Sequence, residues 1–110
     1  MIHRVGLLHL GMVLLFFPWN VEAVPKVVVS IKPLHSLVSG VMEGVGKPNL
    51  LLEGNASVHI YSMRPSEVSM LQQAELFFWV GPQLETFLEK PLASLTNSMI
   101  SVEMIDTKGL

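Results

Sequence analysis

A chain of 110 residues allows one small domain and no more. Half of its residues are hydrophobic and only 15% are charged, too apolar a mix for disorder, and a net charge of −2 leaves no basic footprint for DNA or RNA. With no cysteine there is no disulfide, no thiolate metal site, no thiol nucleophile and no lipid-modified N-terminal cysteine.

Residues 1–23 have the three parts of a secretory leader: a short basic start with Arg4, an apolar run from Val5 to Trp19, and a small-residue end at Val21-Glu22-Ala23. The run is interrupted by His9 and Pro18 and falls short of the roughly 20 residues a membrane span needs. The pattern predicts a signal peptide cleaved after Ala23, so that His3 and His9 leave with it, and a mature domain over residues 24–110.

Val27 to Ile31, with three consecutive valines, reads as a buried strand broken by Lys32-Pro33. Leu34, Leu37, Val38, Val41, Met42 and Val45 then recur as the stripe of one helical face, closed by Gly44, Gly46 and Pro48. Asn49 to Leu52 is a second strand. Glu53 to Met63 is the only long polar connection, and a connection of that length in a small domain points to function. Pro65 suits the first turn of a helix, Glu67 complements its positive end, and Val68, Leu71 and Ala74 repeat at helical spacing.

Leu76 to Val80 is apolar without interruption, as a strand buried on both faces of a parallel sheet is. Gly81-Pro82 opens a third predicted helix, with Leu84, Phe87 and Leu88 on one face and Pro91 ending or kinking it. Met99 to Met104 has strand composition. Strands alternating with helices predict an α/β fold with a parallel sheet and right-handed crossovers, whose ligands bind beyond the carboxyl ends of the strands. The loop after the second strand, carrying His59, lies on that side.

Three stretches carry a family resemblance. His59-Ile60-Tyr61-Ser62-Met63-Arg64-Pro65-Ser66-Glu67, continued by Gln72-Gln73-Ala74-Glu75-Leu76 and Trp79-Val80-Gly81-Pro82, resembles the zinc-binding proteins of high-affinity zinc-uptake ABC transporters, the ZnuA family. Ser30 to Val38 and Glu85 to Leu92 extend the likeness over nearly all of the chain after Ala23. The resemblance implies the incomplete N-terminal lobe of a two-lobed, monomeric periplasmic protein, with the ion enclosed between lobes. It implies capture of Zn²⁺, or Mn²⁺ as the alternative cargo, and delivery to a membrane permease without covalent chemistry. It also raises the alternative of a truncated product without independent activity.

The histidine at this point of the motif is a metal ligand in the family, which makes His59 the candidate here; two further histidines and usually a carboxylate come from later segments. Imidazole is a common ligand for zinc where thiolates are absent. Val58 and Ile60, both apolar, flank His59 where family members commonly carry acidic, proline or polar residues. His35 lies off the apolar stripe and reads as structural. Tyr61 is placed either near the ligand loop or packed at its base, Arg64 either tied to a carboxylate or solvated, and Glu53 either near the metal or at a strand end. No G-x-S-x-G, glycine-rich phosphate loop or H-E-x-x-H pattern supports an enzyme.

Overall fold

The computed structural model describes residues 23–54, 57–58, 61–95 and 97–109. Four strands, β1 (Val27–Val29), β2 (Asn49–Leu50), β3 (Leu76–Trp79) and β4 (Ile100–Glu103), form one sheet in the order β2-β1-β3-β4, every pair parallel. Val27 stands opposite Leu76 and Val29 opposite Phe78, while Leu76 stands opposite Ile100. Although β2 is short, Leu51 N–H and Leu52 N–H bond to the Val29 and Ser30 carbonyls at 2.8 and 2.9 Å, so its pairing runs on to the expected end.

The period of two along the strands divides the core. Val28, Phe77 and Trp79 face one side with Leu51, Leu71, Ala74 and Leu88, while Val27 and Val29 face the other with Leu34, Val38 and Met42. Between the strands run α1 (Lys32–Val41), α2 (Pro65–Gln73) and α3 (Glu89–Ser94). Parallel crossovers are right-handed, so the reversal of strand order between β1 and β3 sends α1 to one face and the later helices to the other. The packing agrees: Leu71 of α2 and Leu92 of α3 join the first cluster, Leu34 and Val38 of α1 the second.

Only half of the predicted stripe on α1 is buried. Leu34, Val38 and Met42 pack on the sheet, whereas Leu37, Val41 and Val45 are 69%, 85% and 59% exposed. Leu37 and Val41 lie to one side of the buried Leu34–Val38 edge, and Val45 lies beyond the end of α1. The exposed half borders an open apolar groove of about 450 Å³ that also reaches Leu76, Phe78 and Met104.

The third predicted helix is corrected by the structure. A turn over residues 82–84 leads to a short 3-10 segment, Thr86–Leu88, and only then to α3. Pro91, expected to end or kink a helix, is instead the third residue of α3, in the first turn, where a missing N–H leaves no bond unmade. At the far end of α2, the Asn97 side-chain amide lies 3.1 Å from the Leu71 and Gln72 carbonyls, adding to the Ala74 N–H that already bonds to Leu71 where the helix stops.

Candidate functional site

The order in which strands are added reverses between β1 and β3, and open α/β sheets bind ligands beyond the carboxyl ends of the strands at such a point. In this protein a side chain occupies the gap. Glu85, fully buried, receives the Ser30 hydroxyl on one carboxyl oxygen, and the N–H groups of Val80 and Gly81 on the other at 2.7 and 3.2 Å. Ser30 follows β1, and Val80 and Gly81 follow β3, so one residue ties the two central strands together at their ends. Gly81 has φ 147°, and a Cβ there would come within 2.9 Å of Ile105 and 2.8 Å of Gln83. The Ser30 carbonyl in turn accepts Leu52 N–H, the last paired residue before the polar loop.

Beside this tie lies a cavity of about 230 Å³, lined by Ile31, Lys32 and Pro33 at the head of α1, by Leu52, Gly54 and Val58 of the loop, and by Leu84. The polar loop therefore opens onto the carboxyl-end side of the sheet, as the order of elements predicts. His59, the predicted metal ligand, and Ile60 lie outside the described residues. Their neighbours Val58 and Tyr61 are described, and they bring the loop to this cavity on one side and to the start of α2 on the other.

Glu67, three residues into α2, is 3% exposed and gathers the C-terminal stem of the loop. It accepts the Tyr61 hydroxyl, the Arg64 N–H at 2.8 Å, and the Arg64 guanidinium at 3.0 and 3.2 Å. The N–H contact is the reciprocal half of a capping box, in which the N3 carboxylate reaches back to the residue that starts the helix. Burial opposes ionisation of Glu67, but the hydrogen bonds from Tyr61 and Arg64 outweigh it and hold the carboxyl below its ordinary value. The bond to Glu67 pushes Tyr61 up, with burial adding to it. The Tyr61 ring lies edge-on to Phe87, centroids 5.2 Å apart. Of the two readings left open for Tyr61, the packed one holds for the ring, and Arg64 is both tied to a carboxylate and exposed to solvent.

His35 is half-buried, with Nε2 2.9 Å from the Pro48 carbonyl. A carbonyl only accepts, so Nε2 carries the proton and the ring pins α1 to the segment before β2, the structural role expected of it. Glu53 is exposed at the end of that strand. Among the described residues no three His, Cys, Asp or Glu side chains gather as a metal cluster. Sequence reasoning missed Glu85. Its signal was an acidic residue closing the Gly81-Pro82-Gln83-Leu84 turn, directly before the apolar pair Phe87-Leu88.

A family model described as the periplasmic zinc-uptake complex component A, ZnuA, matches residues 27–110. The high-affinity zinc uptake system protein ZnuA of Brucella abortus is 52% identical over 84 residues, covering 76% of this chain and 25% of the relative. The chain thus spans about a quarter of the length of the curated relatives it matches. Among solved structures, the periplasmic zinc-binding protein TroA from Treponema pallidum superposes with a TM-score of 0.67 at 25% identity, over 73% of this chain and 29% of TroA. A manganese-bound periplasmic metal-binding protein from Candidatus Liberibacter asiaticus shares the fold with a TM-score of 0.65 at 20% identity, over 76% of this chain and 32% of that one.

Proposed function

The chain belongs to the ZnuA family of periplasmic zinc-uptake components, and from that membership we propose that it serves in the capture of Zn²⁺ outside the inner membrane and its delivery to an ABC-transporter permease. In this reading residues 1–23 are an export leader and residues 24–110 form the first lobe of a monomeric binding protein. The ion is cargo, bound and released unchanged. His59 supplies one nitrogen ligand, and Mn²⁺ is the alternative cargo.

The observation that carries the proposal is the placement of the loop. The segment that holds His59 leaves the sheet at the carboxyl ends of the strands, beside the switch point, and Val58 lines the cavity there. That is where an α/β sheet offers a ligand site. Zinc held tightly takes about four ligands, or three and a water, so His59 needs donors beyond those the described residues assemble. Weak binding by the chain alone follows.

Calorimetric titration of the purified chain with Zn²⁺ and, in parallel, Mn²⁺ tests this. The expected result is weak binding of both ions that His59→Ala abolishes, Zn²⁺ being the tighter as it is at most nitrogen and oxygen sites. Binding unchanged in His59→Ala would remove the ligand assignment.

A further inference from the structure

The stem of the proposed metal loop is organised by a single buried side chain. Both Glu67 carboxylate oxygens are engaged: one takes the Arg64 N–H at 2.8 Å, the other the Arg64 guanidinium and the Tyr61 hydroxyl. The Arg64 contacts account for the start of α2, since an N3 carboxylate on that N–H is ordinary helix capping. The Tyr61 contact lies outside the helix and adds nothing to a cap. It fixes a loop residue whose ring is already set edge-on against Phe87, so ring and hydroxyl are held from two different elements. A single residue, Ile60, separates Tyr61 from His59, a reach of at most about 7 Å between their Cα atoms.

We infer that Glu67, acting through the Tyr61 hydroxyl, is a positioning residue for the metal loop: it fixes the stem on one side of His59 before the ion arrives. The inference rests on His59 being a ligand. A ligand loop whose stem is already ordered loses less conformational freedom when the metal binds, which raises affinity without any contact to the ion. Residues that hydrogen-bond a metal ligand directly are worth about 10- to 100-fold in metal affinity, and support given through the loop stem belongs at the lower end of that range. Glu67 and Tyr61 are therefore expected to change binding more than their effect on folding explains.

Tyr61→Phe keeps the ring on Phe87 and removes only the hydroxyl. Glu67→Gln leaves a single acceptor oxygen where Tyr61 and Arg64 now use two. Both variants are expected to bind Zn²⁺ about tenfold more weakly than the parent chain, and to change the visible absorption of bound Co²⁺. Val38→Ala, in the cluster on the opposite face of the sheet, gauges how far lost stability alone weakens binding. A second readout needs no metal: in Tyr61→Phe the ring resonances of His59 should move towards their unfolded positions. Parent-like affinity together with unmoved His59 ring signals in Tyr61→Phe would overturn the inference. If instead His59→Ala leaves Zn²⁺ binding intact, the metal reading fails, and the ring signals still decide whether Tyr61 positions the loop.

Discussion

The Ser30 hydroxyl donates to a carboxyl oxygen of Glu85, 55 residues further along the chain, at the point where the strand order reverses. The same carboxyl group satisfies two backbone N–H groups at the end of β3. Glu85→Ala would leave three donors without their partner at a fully buried site, and each unmade bond costs about 1–3 kcal/mol. The expected loss is about 3–6 kcal/mol, a large share of a small domain's stability. Ser30→Ala removes one donor and leaves the other two bonds, so about 1–2 kcal/mol is expected. Urea denaturation of the two variants side by side checks the order.

Glu67 gives the fold an acid limit. Its carboxyl is held below the ordinary value of 4.5 in the folded chain, so the unfolded chain binds the proton more readily. The stabilisation is complete above pH 4.5 and is lost as pH falls through the lowered folded value. The groups that set this are Tyr61 and Arg64, both bonded to the carboxylate. Urea midpoints measured on either side of pH 4.5 should fall towards acid in the parent chain and fall less in Glu67→Gln. Equal slopes would show that other carboxyls dominate.

Leu34 and Leu37 sit on the same helix, three residues apart, with opposite burial. Leu34→Ala leaves a hole against the sheet and is expected to cost about 2–4 kcal/mol. Leu37→Ala removes atoms that already face water and should change stability by less than about 0.5 kcal/mol. Thermal midpoints of the two variants separate them; equal losses would mean that Leu37 is covered in solution.

Mass spectrometry of the chain recovered from a periplasmic fraction should give an N-terminus at Val24 or within a residue or two of it. An intact Met1 there would refute cleavage after Ala23.

Strand content and parallel pairing were largely legible because β1 and β3 are short, β-branched or aromatic, and apolar, whereas the strand order was not. What escaped was decided by distant partners. The segment 82–88 has helical spacing at Leu84, Phe87 and Leu88, but Glu85 is drawn back to Val80 and Gly81 and the chain turns instead. Pro91 was misread for a related reason: moving the helix start to Glu89 turns a breaker into a first-turn residue. On α1 the periodicity marked the apolar positions correctly, yet it holds no information on how wide a surface would meet them. The stem at Tyr61, Arg64 and Glu67 was readable as a motif, while the convergence of all three on one carboxylate needed coordinates.

The partners of the two central strands meet late. β1 and β3 are neighbours in the sheet although β2 and α2 lie between them in the chain, and the end of α2 is completed by Asn97, 25 residues beyond Gln72. Contacts so far apart in the chain must close long loops before they return any stabilisation, which slows folding. Refolding from denaturant should accordingly be slow for a domain of this size, and slower still when Asn97 is replaced by alanine only if that cap already forms in the transition state.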